Sequence, residues 1–192
     1  MKVTREQAAQ NRDRVLDVAA RLFRERGFDG IGVADLMKNA GLTHGGFYGQ
    51  FGSKEALMTE ACTRSFDVAL NTFTALGEQA ACNPLAAVMQ AYLSQQHRDN
   101  PGAGCVIASL GAEASRQGSG LRRAVTDGTR AMLDLFTSFA PGRTKAAKRE
   151  RAVVAYASMV GALILARAVD DEALSDEILQ AVTSALPGAS GS

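Results

Sequence analysis

Residues 36–54, LMKNAGLTHGGFYGQFGSK, decide how this chain is read. Leu36, Met37 and Ala40 recur at helical spacing before Gly41 interrupts them, which predicts a short helix over 34–40. Thr43 then offers an N-cap hydroxyl to a third short helix reaching Phe51, anchored from the core side by Phe47 and Phe51 at i and i+4. Two short helices joined by a tight turn at Gly41, with Leu36, Ala40, Leu42 and Phe47 apolar, form the pattern of a helix-turn-helix. The second helix of that motif lies in the major groove of DNA.

Working outward, Val15, Leu16, Ala19, Leu22 and Phe23 predict a first helix over 4–26, with Gly27 as its C-cap. Gly52 and Ser53 break and recap the chain. A long fourth helix follows, with Met58, Cys62, Phe66, Leu70 and Phe73 at intervals of three or four. Beyond Asn83-Pro84, helix-like segments are expected at 84–98, 105–117, 120–139, 145–169 and 171–186, and the tail 187–192 is expected to fray. No run alternates with period two for long, so the fold class is all-α. Without a repeat or low-complexity linker, any two domains must share the fourth helix: a helix-turn-helix domain at 1–52 and a helical domain at 53–192.

The helix-turn-helix stretch and its flanks resemble the TetR family of transcriptional regulators. The likeness rests on Phe23 and Gly27-Phe28, Ala40-Gly41-Leu42-Thr43, Phe47-Tyr48, Phe51 and Ser53-Lys54-Glu55-Ala56-Leu57, and is close up to about residue 60. It implies a homodimeric repressor that binds a palindromic double-stranded DNA operator and is released by a small-molecule effector, with 1–52 as the DNA-binding domain and 53–192 as the effector-binding and dimerisation domain. Thr43 would meet a phosphate at the helix N-terminus. His44 and Gln50 would reach base edges, Gln suiting adenine. Tyr48 would offer its hydroxyl to a phosphate or its ring to a thymine methyl, and Lys54 aligns with the family's phosphate-contacting lysine. Asn11 and Arg12 align with the family's polar pair on the first helix. Two departures stand out. Met37 replaces the family's usual alanine, and Gly45, Gly46 and Gly49 crowd the recognition helix at roughly 1 kcal/mol each relative to Ala, a cost that also opens room for close backbone approach to DNA.

Composition limits the alternatives. Lys+Arg number 21 against 20 Asp+Glu, a net charge of +1, so DNA binding cannot rest on bulk positive charge. Residues 1–55 hold nine Lys/Arg against seven Asp/Glu, a local excess of two, and Lys2 with Arg5 are candidates for an N-terminal arm. Three widely spaced cysteines, Cys62, Cys82 and Cys105, fit neither a disulfide framework nor a zinc spacing and suit a reducing cytoplasm. The first residues lack the apolar run of a signal peptide, and the longest apolar run, 152–166, falls short of the ~20 residues a membrane span needs and is expected to be a buried core helix. With only His44 and His97, and no nucleophile elbow or phosphate loop, no catalytic set is assembled. No enzyme activity, cofactor or metal is expected.

In the second half, Val153, Val154, Ala157, Val160, Gly161, Ile164 and Leu165, with Leu174, Ile178, Leu179 and Val182, suit a four-helix dimer interface, although burial within one subunit fits nearly as well. Phe66, Leu70, Phe73, Met89, Tyr92, Met132, Phe136 and Tyr156 are candidates to line an effector pocket, most of them serving equally as plain core. His97 is expected at the surface of a helix end. Cys105 is expected in the first turn of a helix, where a thiolate is favoured, within a segment similar to one in a TetR subgroup that includes electrophile and oxidant sensors. An inert buried thiol is the plainer reading. A redox- or electrophile-sensing regulator acting through Cys105, or a helical interaction module without DNA binding, are therefore the alternatives.

Overall fold

The computed structural model describes residues 4–80 and 82–185, and every regular element in them is helical. Helix α1 (Arg5–Arg26) starts at a full capping box, Thr4 accepting from the Gln7 amide and Gln7 answering on the Thr4 amide. It stops at Gly27, whose φ of +77° suits a residue without a side chain. Helix α2 (Val33–Asn39) follows, then a 3₁₀ turn at His44–Gly46 leading into α3 (Phe47–Phe51). The single short helix expected from Thr43 is thus split, and the Thr43 hydroxyl makes no capping bond. The turn closes instead on the Thr43 carbonyl, which accepts from Gly46.

Helix α4 (Lys54–Gln79) is capped by the Ser53 hydroxyl at the Ala56 amide. The helix expected over 84–98 is two, α5 (Pro84–Tyr92) and α6 (Gln95–Asp99), because Ser94 takes extended backbone and caps a new helix at the His97 amide. A 3₁₀ turn at Pro101–Ala103 leads to α7 (Val106–Ala114), where Cys105 is the N-cap residue rather than part of the first turn. Helices α8 (Ser119–Phe139), α9 (Lys145–Ala168) and α10 (Glu172–Ala185) complete the chain. The anticipated arm residue Lys2, the last predicted helical residue Leu186 and the tail 187–192 lie outside the described residues.

One core runs through both halves. Val15, Leu22, Phe23, Phe28, Leu36, Met37 and Phe47 pack α1, α2 and α3 together, and the same cluster continues into Leu57, Val88, Leu121, Met132, Phe136 and Met159. Met37, at 1% exposure, is absorbed without loss of the crossing. The longest interhelical seam joins α4 to α8, and there each helix supplies a glycine where the other places a ring. A β-carbon on Gly77 would stand 2.3 Å from the Phe139 ring, and one on Gly128 2.2 Å from the Phe66 ring.

Helix α9 packs on α8 and α10 through Ala152, Ala155, Tyr156, Met159, Ala162, Leu163 and Ala166. By length and composition it is apolar enough to cross a membrane, a span longer than the sequence run suggested. The core helix expected over this run is buried on one face only. Val153, Val154, Ile164 and Leu165 remain 42–56% exposed, and Leu174 of α10 joins them.

Candidate nucleic-acid interface

The segment from Thr43 to Lys54 turns two faces in opposite directions. Phe47 and Phe51 are buried, 5.7 Å apart between ring centroids, and fix α3 on the core. Thr43, His44, Gly45, Gly46, Tyr48 and Gly49 are exposed. Tyr48 leaves 60% of its surface in solvent, the most exposed of the large hydrophobic residues described, with its ring held edge-on by His44 and Phe47. An aromatic left in water beside a buried, anchored phenylalanine is a presentation surface, because nothing in the fold requires it there. Five residues cannot form a stable helix alone, so this surface exists only through its anchoring phenylalanines.

The other predicted contacts sit nearby with different freedom. Lys54 opens α4 half-buried, next to the exposed Ser53. Gln50 is also half-buried, and its carbonyl oxygen is enclosed without a hydrogen-bond partner. Arg12 is engaged already: its guanidinium donates to both carboxylate oxygens of Glu60 at 2.7 and 2.8 Å and lies 4.7 Å above the Phe51 ring. It thereby ties α1 to α4 over the base of α3. Asn11, beside it, is half-buried.

In the body, the predicted pocket residues converge. Phe73 meets Tyr92 and Phe136 at 6.2 and 6.0 Å, and Tyr156 stands edge-on to Phe136 at 5.5 Å. Phe66, Met89 and Met132 are buried in the same core, while Leu70 and Phe73 are only partly so. The hydroxyls of Tyr92 and Tyr156 are enclosed without a hydrogen bond of ordinary geometry. Burial and the adjoining Cys105 thiol push both phenols up, so they stay protonated. Cys105 itself is half-buried, whereas burial pushes the Cys62 thiol up to about 12 and Cys82 is exposed.

His97 is not the surface residue expected of it. Its ring lies 4.6 Å from Tyr92, Nδ1 is 2.6 Å from the Tyr92 carbonyl, and Nε2 accepts from the Cys105 amide at 2.9 Å. The neutral tautomer that satisfies both bonds carries its proton on Nδ1. Burial, and the Arg167 cation beside it, hold its pKa below the usual value. Arg167 donates to the carbonyls of His97 and Arg98 at 2.6 and 2.9 Å and so ties α9 to this corner. Local sequence gave no sign of Arg24, Arg167 or Glu113. Arg24 and Arg167 look like ordinary cations in a last helical turn, and their partners lie 41 to 78 positions away.

Residues 15–61 match the family model for bacterial regulatory proteins of the tetR family. The chain is 30% identical over 129 residues to the transcriptional repressor NemR of Escherichia coli K12, covering 66% of this chain and 65% of that protein. It is 29% identical over 104 residues to the transcriptional repressor DhaR of a Mycobacterium species, covering 54% and 52%. The aligned stretch spans less than two thirds of each relative's own length. The crystal structure of reduced E. coli NemR superposes with a TM-score of 0.77 at 24% identity, over 93% of this chain and 95% of that one. A TetR-family regulator from Agrobacterium tumefaciens gives 0.75 at 20% identity, over 93% and 98%. The head from α1 into α4 is thus that of the tetR family of bacterial regulatory proteins, and the likeness to NemR reaches well beyond it.

Proposed function

We propose that this protein is a dimeric, ligand-responsive transcriptional repressor that binds a palindromic DNA operator through the exposed face of residues 43–50 and the start of α4. The observation that carries this is Tyr48, exposed on a short helix that Phe47 and Phe51 pin to the core. Thr43 and Lys54 take phosphates at either end of the reading face, and His44 and Gln50 read base edges between them. Glycines at 45, 46 and 49 bring the backbone close to the groove. Arg12 serves this face indirectly, by holding α3 against α1 and α4 through Glu60 and Phe51, and Asn11 flanks the same backbone. Residues 1–52 form the DNA-binding domain and 53–192 the effector-binding and dimerisation domain of a protein working in the cytoplasm. The apolar strip on α9 and α10 is where a second copy packs.

The repressor names of NemR and DhaR support this reading. Duplexes selected from a random pool by the folded dimer test it. A palindromic consensus, bound with strong salt sensitivity, is the expected result. Tyr48→Ala weakens binding about tenfold across sequences, Lys54→Ala lowers the salt slope by about one, and His44 or Gln50 changes shift base preference. A folded protein that selects no duplex is a helical interaction module instead.

A second reading of the signal is favoured by the two buried tyrosine hydroxyls that adjoin the Cys105 thiol. Here Cys105 reacts with an electrophile or oxidant, and the modified thiol releases the operator. Cys105→Ser then keeps operator binding and loses release, while a non-covalent effector in the Phe73, Tyr92, Phe136 and Tyr156 core leaves that variant responsive.

A further inference from the structure

Arg12–Glu60 and Asp17–Arg64 tie α1 to α4; two further polar contacts among the described residues join α7 and the turn before it to the end of α1, one on its last turn and one just past its Gly27 cap. Arg24, half-buried on α1, donates through Nε to the Gly102 carbonyl at 3.0 Å and through Nη2 to the same oxygen, while Nη1 donates to the Ser65 hydroxyl. Gly102 lies in the 3₁₀ turn that feeds the N-terminus of α7. At the other end of α7, Glu113 Oε2 accepts from the Phe28 amide at 2.8 Å. Gly27 makes room for that carboxylate: a β-carbon there would stand 2.7 Å from Glu113 Oε1, and φ is +77°.

The arrangement has the cost structure of a joint rather than of filler. A guanidinium withdrawn from water and met by a carbonyl and a hydroxyl, with no carboxylate among its bonded partners, is destabilising relative to an apolar side chain of the same length. Burial indeed lowers the Arg24 pKa. The contact is nevertheless kept at the point where the two halves meet. Phe28 is fully buried, stacks edge-on against Phe23 at 5.4 Å, and belongs with Ile31, Leu36 and Phe47 to the core that seats α2 and α3. At the Cys105 end, His97 holds the Cys105 amide and Arg167 holds His97, so that end of α7 is bound to the body.

We propose that α7 is the transmission rod of this protein: Arg24 on the Gly102 carbonyl and Glu113 on the Phe28 amide grip the end of α1, so that displacement of the Cys105 end is passed to the recognition helix. Arg24 and Glu113 are thus positioning residues that act through α1 and touch neither DNA nor effector. The inference rests on the reading of the head as the DNA-binding part and the body as the sensing part.

Alkylation of Cys105 with iodoacetamide is the test perturbation, in a Cys82→Ser background in which Cys62 is buried. It joins a carbamidomethyl group to Sγ, with iodide leaving and the thiol proton released. Hydrogen exchange is then followed by mass spectrometry on peptides spanning residues 24–31. Alkylation is expected to speed exchange at the Phe28 amide at least about fivefold. In Glu113→Ala or Arg24→Met, where exchange starts faster, alkylation adds less than about twofold. Glu113→Gln, whose amide oxygen still accepts, restores the response and serves as the measure should either truncation not fold. Alkylation that leaves the 24–31 peptides unchanged in the parent, or speeds them equally in Glu113→Ala and Glu113→Gln, overturns the proposal. If the parent selects no duplex, the DNA reading falls while the exchange experiment still decides the coupling. If a duplex is selected, alkylation weakens its binding in the parent at least about fivefold and does so less in Glu113→Ala.

Discussion

Gly45, Gly46 and Gly49 have no positive φ among them, and a methyl group added at 45 or 49 would meet nothing within 4 Å. The fold therefore does not ask for glycine at these positions, and alanine suits a helix better by up to about 1 kcal/mol. Gly49→Ala is expected to raise the melting temperature by about 2–4 °C while weakening operator binding, because the new methyl stands on the exposed face proposed to meet DNA. Calorimetry and a duplex titration on one preparation check both halves of that statement. His97 yields a pH dependence. Burial is the main cause of its lowered pKa, so the unfolded chain takes up a proton near pH 6.5 while the folded protein resists until lower pH. Below about pH 6.5 the unfolded state binds more protons, so this contribution to stability is complete above that pH and is lost as the pH falls through that window. The groups facing the ring do not reverse the sign: Arg167 stays cationic and Tyr92 stays protonated. Urea unfolding between pH 5 and 8 is expected to show a slope that His97→Gln reduces.

At the scale of the element, the α4–α8 seam depends on two glycines meeting two phenylalanines. Gly128→Ala puts a β-carbon 2.2 Å from the Phe66 ring, and the ring, itself 3% exposed, has no open side to move into. A loss of about 1–3 kcal/mol is expected, read as a shift in the urea midpoint, whereas Gly161→Ala on the open face of α9 costs little. Helical periodicity made α1, α8 and α9, and the start of α4, readable to within a residue or two, because their apolar spacing and caps are written locally. The helix-turn-helix spacing was equally legible, since Phe47, Phe51, Leu36 and Gly41 lie within sixteen residues. What could not be read was pairing across distance. Gly77 with Phe139, Arg24 with Gly102 and Glu113 with Phe28 are each separated by 62 to 85 positions, and no local rule links them. The break between α5 and α6 was missed for a smaller reason, a Ser94 that caps forward in a stretch otherwise fit for one helix.

Across the whole molecule, a net charge of +1 with a small positive excess in the first 55 residues means that one head has few cations to offer a duplex. On the proposed function, affinity comes from placing two reading faces at once, which makes the second copy part of the proposed binding site. The exposed residues Val153, Val154, Ile164 and Leu165 on α9, with Leu174 on α10, form the apolar strip available for that purpose. The absence of any neighbour at the Gly161 β-carbon position leaves the same face open to close approach by another helix. In an isolated subunit Leu165, at 56% exposure, contributes little to the core, so Leu165→Glu has little effect on subunit folding. In a dimer the same change buries a carboxylate against apolar side chains and strongly opposes association. The variant is therefore expected to sediment as a folded monomer with unchanged helical circular dichroism. Its affinity for a full palindrome falls at least about a hundredfold, as linking two sites multiplies affinity by 10²–10⁴, while its affinity for a half-site is unchanged. A Leu165→Glu protein that remains dimeric would place the interface on another face of the body.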